Sequence, residues 1–376
     1  MKRLSLLIIL IPALLVAASC GNGKRTAHKD ALSTEPISYA RNLAIEYHDG
    51  YTSVHIREPW DTLRQRQHYI LVEHDKALPA SLPGESTVIR IPVKRAVIYT
   101  SVHSAIAVEL GVIDRVVGVC EPEYITSPEL LRLLADGKIA DIGLSTSPNV
   151  EKIVDLDCDL IIASPFENSG YGSAEKLGIP ILEAADYMEN HPLGRTEWVL
   201  FYGLVFGCPE KAHEIFQTTR DRYLSLKSLA SKADRPTVLL ERKYGGTWAV
   251  PAGESYIAVM HADAGANYLY GDTYGSKSIH YSFEEVYDRC VDADFWFLKY
   301  GTRQPLTYAL LAEEYTPYAN FKAWKEHKIF TCSTLATTYY DDITLHPDRV
   351  LEDLVAIYHP DLLPGHVQRY YFPMNE

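Results

Sequence analysis

The sequence predicts an α/β protein: two Rossmann-like lobes bridged by a long connecting helix, with an added N-terminal mixed β region. Three observations predict it. Short apolar runs alternate with helical periodicity from Arg95 onward, as parallel β-α-β units do. A long helical stretch then interrupts this rhythm near residues 191–232, and a second series of strand-like runs resumes at Thr237. The 376 residues, 47% of them hydrophobic, suffice to fill two cores.

The first 20 residues run from Lys2 and Arg3 through the apolar stretch Leu4 to Ala18 to small residues and Cys20. The stretch is short for a membrane span and ends as a signal peptidase requires. It resembles a bacterial lipoprotein signal, departing from it in having Ala17 where leucine is commonest. Residues 1–19 are therefore expected to be a signal peptide, Cys20 the lipidated first residue, and 20–36 a polar tether. That places the folded part in the cell envelope, facing the periplasm or the exterior and held to the membrane by lipid. An ordinary secretory peptide, with Cys20 incidental, is the alternative.

Asp49-Gly50 is a hairpin turn signal between Leu43, Ile45, Tyr47 and Val54, Ile56. Tyr69–Glu73 and Thr87–Ile91 add strands to this leading region. Ala96–Tyr99 reads as a buried strand, Ser104–Leu110 as a helix closed by Gly111, and Val116–Val119 as the next strand. Leu160–Ala163 and Ile181-Leu182 continue the sheet, completing an N-terminal lobe over 37–190. The connecting segment carries Trp198, Phe201, Leu204 and Val205 on one face before Gly207, then Ala212, Ile215, Phe216, Thr219, Tyr223 and Leu226 after Pro209. The C-terminal lobe, 233–376, has strands at Thr237–Leu240, Asp294–Leu298 and Lys328–Thr331, with helices at Tyr256–Ala262 and Phe283–Cys290.

Charge and composition exclude several functions. A formal charge of −13 with scattered Lys and Arg opposes nucleic-acid binding. Beyond Cys20, five cysteines remain without paired short spacing, and 14 dispersed histidines form no HExxH, so no protein-held metal or other intrinsic cofactor is expected. Ser101/His103 and Ser278/His280 have no orienting acid assigned by the sequence, there is no GxSxG elbow, and Gly170-Tyr171-Gly172 lacks the dinucleotide-loop spacing. His261 and Asp263 are explained as helix surface. The chain is expected not to be an enzyme and to act as a monomer.

An internal correspondence supports related lobes. Asn149-Val150-Glu151 opens a helix leading through Asp159 into Leu160-Ile161-Ile162, and Ser282-Phe283-Glu284 opens one leading through Asp294 into Phe295-Trp296-Phe297. Asn149 and Ser282 suit N-caps, and the glutamates fall in first turns, where negative charge is favoured.

From Arg95 to about Met374 the chain resembles substrate-binding lipoproteins of bacterial ABC importers for iron chelates and cobalamin. The segment His191-Pro192-Leu193-Gly194-Arg195-Thr196-Glu197-Trp198 is similar to the PLGRAEW motif opening the connecting helix in one branch. Trp248 to Ser255, Asp263-Ala264-Gly265, His346-Pro347-Asp348 and Leu354 to His359-Pro360 support it. The resemblance implies capture of an iron-siderophore, haem or cobalamin, so that Fe or Co arrives only with the ligand. It implies a permease with a cytoplasmic ATPase as partner, met by Glu151 and Glu284. A lipid-anchored scavenger that docks to no permease is the competing reading, and an enzyme acting on a chelate a remote one.

A large, partly planar ligand requires aromatic surface and a few orienting polar groups. Open parallel sheets place ligands beyond the carboxyl ends of their strands. The candidates at those ends are Tyr99, Ser101, His103, Phe166 and Asn168 in the first lobe, and Lys243, Tyr244, Trp248 and Arg303 in the second. Trp248 follows the Gly245-Gly246 turn and is expected to face the ligand, against packing as the alternative. Lys243 and Arg303 are the candidates to complement an anionic ligand, Arg303 before Lys243, for which a solvated basic residue on a surface loop is the alternative. The lobes are expected to close by a small hinge motion restrained by the connecting helix.

Overall fold

The computed structural model describes residues 36–61, 65–79, 81–82 and 84–376. The signal peptide and the lipidation site Cys20 lie outside the described residues. Residues 37–376 form one compact unit.

The leading region is a four-stranded mixed sheet, β1 (Leu43–His48), β2 (Tyr51–Arg57), β3 (Gln65–Glu73) and β4 (Thr87–Ile91), in that order. The β1–β2 hairpin turns at Asp49-Gly50, where Gly50 takes φ 85°, a conformation open to glycine at little cost. β3 and β4 run parallel. Tyr69 ties this sheet to the first lobe: its hydroxyl donates to the Ile181 carbonyl (2.9 Å) and accepts from the Glu183 N–H (2.8 Å).

The first lobe contains β5 (Ala96–Ile98), α1 (Ser101–Glu109), β6 (Val116–Val119), α2 (Pro128–Ala135), β7 (Ala140–Asp141), the ribbon β8 (Gly143–Leu144) and β9 (Ser147–Pro148), α3 (Val150–Asp155), β10 (Leu160–Ala163) and β11 (Ile181–Glu183). Its parallel sheet has the order β11-β10-β5-β6-β7. β5, β6 and β10 are buried throughout, which is why they read as continuous apolar runs.

The connecting segment is three consecutive helices, α4 (Pro192–Glu197), α5 (Val199–Phe206) and α6 (Pro209–Ala230). The break before α6 follows from Gly207, at φ 66°, and from Pro209, which suits a first turn. With 22 residues α6 is about 33 Å long. Its first half packs into the N-lobe core through Ala212, Ile215 and Phe216, and its second half into the C-lobe core through Tyr223, Leu226 and Ala230.

The second lobe comprises β12 (Thr237–Leu240), β13 (Lys243–Tyr244), β14 (Thr247–Pro251), α7 (Tyr256–Asp263), β15 (Asn267–Tyr268), β16 (Ser278–Tyr281), α8 (Phe283–Cys290), β17 (Phe295–Tyr300), α9 (Tyr308–Glu314), α10 (Lys322–Lys325), β18 (Ile329–Ser333), α11 (Tyr339–Asp342), α12 (Pro347–Tyr358) and β19 (Phe372–Pro373). Its main sheet has the order β15-β12-β17-β18-β19, parallel except at β19, and β13-β14-β16 make a small antiparallel sheet.

The two main sheets share one topology. In each, a first strand (β5, β12) gains its successor (β6, β15) on one side, and the chain then crosses to add β10 and β11, or β17 and β18, on the other. The correspondence between residues 149–163 and 282–298 is therefore one of structurally equivalent positions.

Candidate functional site

Where strand order reverses, the two crossovers leave a gap at the carboxyl ends of the flanking strands. The reversals fall between β5 and β10 in one lobe and between β12 and β17 in the other, and both open into the interlobe cleft. A central hollow of about 320 Å³ is walled by Thr100, Ser101, Val102, Glu121 and Tyr124 of the first lobe and by Gly301, Thr334, Leu335 and Tyr340 of the second. It shares Thr100 with a smaller N-lobe hollow bounded by Tyr99, Ser164 and Phe166, and Gly301 with a hollow of about 450 Å³ beside Arg242, Tyr300 and α9. Tyr124 and Tyr340 reach in from opposite lobes, 53% and 46% exposed, and supply aromatic surface on both walls.

Local geometry fixes the walls. Thr100 caps α1 by accepting from the His103 N–H (3.5 Å), which presents the first turn of the helix to the cleft. Behind it lies a buried polar network: His103 Nε2 pairs with Asp186 Oδ1 at 2.7 Å, and the Tyr202 hydroxyl donates to the same oxygen at 3.2 Å. Burial pushes the Asp186 carboxyl up, but His103 and Arg195 outweigh it and hold it below the ordinary value. Arg195 Nη2 donates to the Tyr187 carbonyl, and its guanidinium lies 3.5 Å from the Tyr256 ring centroid.

Each lobe places a glutamate in the left-handed region immediately beyond or near a strand end at the cleft. Glu121, at φ 53°, accepts from the Ser145 N–H (3.0 Å) and hydroxyl (2.7 Å). Glu241, at φ 62°, directly follows β12, accepts at its carbonyl from Trp296 Nε1 (2.7 Å), and receives the Lys299 ammonium on its carboxylate. Such non-glycine conformations cost about 1–3 kcal/mol each and persist because surrounding bonds over-determine them. Desolvation acts to lower the Lys299 pKa, yet the Glu241 charge raises it well above the ordinary value.

The residues expected from sequence divide into groups. Ser101 lines the central hollow, and Tyr99 and Phe166 line the N-lobe hollow. His103 is buried behind the wall at 4% exposure. Asn168 is exposed, at φ 57°, on the loop past Phe166, and does not line these hollows. Lys243 lays its ammonium 4.3 Å from the Tyr315 ring centroid, and Tyr244 stands 91% exposed on β13. Arg303 is exposed at the mouth, its Nη1 donating to the Leu335 carbonyl at 2.8 Å. Trp248 is in the core, not the cleft: it is 0% exposed, stacks on Trp296 with centroids 5.6 Å apart, and donates to the Leu240 carbonyl at 3.2 Å. The Gly245-Gly246 turn folds β14 back against β13, pairing Trp248 with Lys243, and the indole packs inward. His261 and Asp263 are also buried, contrary to the helix-surface expectation. His261 meets the Tyr358 hydroxyl (2.6 Å), and Asp263 accepts from Tyr223 (3.0 Å) and Lys227 (2.9 Å).

Sequence reasoning missed Glu121, Tyr124, Thr334, Leu335 and Tyr340. The strand-end rule applied to Val116–Val119 and Ile329–Ser333 reaches Glu121 and Thr334. No comparable signal marks Tyr340, which α11 carries back against α1.

Glu151 and Glu284 are both the second residue of their helices, and both are exposed. Each helix runs back along the strand it feeds, so its start lies at the carboxyl edge of its sheet. Asn149 accepts from the Lys152 N–H at 3.0 Å, and in α8 the reciprocal cap is formed by Ser282 and Glu285. Neither Glu151 nor Glu284 has a side-chain hydrogen bond or ion pair among the described residues. The five described cysteines are free, and no group of three or more His, Cys, Asp or Glu is arranged to hold a metal ion among those residues.

Comparison with known proteins assigns the architecture. Residues 96–334 match the family model described as periplasmic binding protein, well over half of the chain. The chain belongs to this family. A lipoprotein of Methanocaldococcus jannaschii without assigned function is 27% identical over 365 residues, covering 91% of this chain and 86% of the relative. The crystal structure of a periplasmic heme-binding protein from Pseudomonas aeruginosa shares the fold, with TM-score 0.59, 17% identity and coverage of 76% of this chain and 99% of that one. So does the vitamin B12 binding protein of Vibrio cholerae, with TM-score 0.53, 16% identity and coverage of 71% and 96%. This periplasmic binding protein therefore captures ligand rather than turning it over.

Proposed function

We propose that this protein is the lipid-anchored, extracytoplasmic substrate-binding component of an ABC importer, taking an iron chelate or cobalamin into the interlobe cleft and delivering it to a permease. One observation carries the reading: a central hollow bounded by both lobes, with Tyr124 and Tyr340 on opposite walls, is continued by an adjoining hollow in each lobe. Aromatic faces on both sides suit a broad, partly planar chelate. The haem and vitamin B12 bound by the two fold relatives belong to that ligand class, and the lipoprotein relative supports the anchor at Cys20.

Delivery requires a surface distinct from the cleft. Glu151 and Glu284 are exposed, unpaired among the described residues, and equivalently placed in the two lobes, so each lobe offers one carboxylate to an arginine of a dimeric permease. Charged rim contacts of this kind speed encounter and set orientation. In the double variant E151A/E284A, cleft affinity is expected to stay within about twofold while uptake through the cognate importer falls at least tenfold. Equal uptake, normalised for folded protein, would reject docking by these residues and favour a free scavenger. Loss of ligand affinity would place one of them in the binding site.

A further inference from the structure

The charges lining the cleft narrow the ligand further, an inference that rests on the proposed function. Three carboxylates, Glu121, Glu313 and Glu314, line the three adjoining hollows, against one cation, Arg242. Arg242 Nη1 already lies 3.0 Å from Glu314 Oε1. The remaining lining is uncharged: aromatic, aliphatic and hydroxyl-bearing side chains, glycines and the amide of Gln304.

The other cations near the cleft line none of the three hollows, and each has a contact of its own. Lys299 is paired with Glu241, Lys243 rests on the Tyr315 ring, and Lys277 reaches Glu167 at 3.7 Å. Arg195 is held by the Tyr187 carbonyl and the Tyr256 ring beside Asp186. Arg303 stands at the mouth with one guanidinium nitrogen on the Leu335 carbonyl. Counting Arg303 with the lining still leaves an excess of carboxylates. The start of α1, at Ser101 and Val102, opposes them with only about half a positive charge. A concave site with low-dielectric walls focuses such an imbalance onto whatever enters it.

We infer that the cleft selects metal chelates without net negative charge, neutral or cationic complexes with a broad apolar face, over anionic ones. This reverses the expectation that Lys243 and Arg303 complement an anionic ligand. The selection comes from Glu121 and Glu313, which line the hollows and have no cationic partner among the described residues.

The test is a titration of the mature protein, followed by native mass spectrometry and intrinsic fluorescence, with four probes: cationic ferrioxamine B, neutral cyanocobalamin, anionic ferric enterobactin and haem. At least one of the first two is expected to bind about tenfold or more tightly than either anionic probe, and the margin is expected to shrink in high salt. In E121Q/E313Q the affinity for ferric enterobactin is expected to rise about threefold or more relative to that for ferrioxamine B. Tighter binding of ferric enterobactin or haem by the unaltered protein would overturn the charge selection and leave the importer function standing. So would a variant whose relative affinities do not move. Failure of all four probes to bind would overturn both.

Discussion

Glu197 offers a sharp test of how the leading region is held to the binding protein. Its carboxylate, 1% exposed, accepts three successive backbone N–H groups, those of Ser38 (2.8 Å), Tyr39 (2.7 Å) and Ala40 (2.7 Å). Glu189 receives the next two, from Arg41 (2.8 Å) and Asn42 (2.9 Å), and is itself steadied by Trp198 Nε1 at 3.0 Å. Hydrogen bonds to a charged acceptor contribute about 1.5–3 kcal/mol each, so three correspond to about 4–9 kcal/mol gross. Roughly half of that is offset in Glu197→Ala, because a buried carboxylate no longer has to be desolvated and residues 38–40, at the surface, become hydrated once released. The expected net loss is about 2–4 kcal/mol, a large part of the stability of an ordinary domain. Gly194 gives an independent check: a Cβ there would stand 2.9 Å from the Tyr39 carbonyl oxygen, so Gly194→Ala should displace the same segment. Urea unfolding measures the loss, and amide exchange over residues 38–42 locates it. Unchanged exchange in Glu197→Ala, with a stability shift below about 0.5 kcal/mol, would refute the clamp.

Two further outcomes follow from buried groups. Trp248→Ala should cost about 3–5 kcal/mol in chemical denaturation, the range for emptying an aromatic core site, while Trp248→Phe should recover much of it; loss of ligand affinity in a Trp248→Phe protein of normal stability would return the indole to the cleft. Burial, with a smaller contribution from Lys299, pushes the His261 pKa down to about 3, so the folded protein holds this ring neutral while the unfolded chain protonates it near pH 6.5. Its share of stability is full above pH 6.5 and drains as pH falls toward 3, on the order of 5 kcal/mol in all. NMR of the ring should show no titration between pH 7 and 4.5, and a midpoint near 6 would contradict the burial argument.

The first-lobe wall of the hollows was legible in part, for a local reason. Thr100 and Ser101 follow an apolar run at a strand's carboxyl end, and that position is a property of chain order alone. The cleft's second wall was not legible in the same way. Tyr340 sits in a short helix whose sequence marks no strand end, and only the return of the C-terminal segment across the lobes sets it against α1. Lys243 and Arg303 were correctly placed near predicted strand ends, but whether a cation is free for ligand depends on the ring or carbonyl that engages it first. For Lys243 that is Tyr315, 72 residues further along the chain.

The sequence by itself determined the elements, because their signals are short-range. Asp49-Gly50 makes the hairpin, Ser282 with Glu285 closes the capping box, Gly207 and Pro209 divide the connecting helices, and continuous apolar runs become strands buried on both faces. It also determined that residues 149–163 and 282–298 are equivalent, since the same order of cap, helix and strand recurs. Only the tertiary structure decided which side of each strand faces the cleft and which groups meet there. Trp248 shows why: one tight turn sends β14 back against β13, and burying the indole among Trp296, Tyr318 and Phe321 removes more apolar surface from water than leaving it at the opening would. That choice depends on partners 48 to 73 residues away along the chain, and no local pattern around Trp248 encodes them.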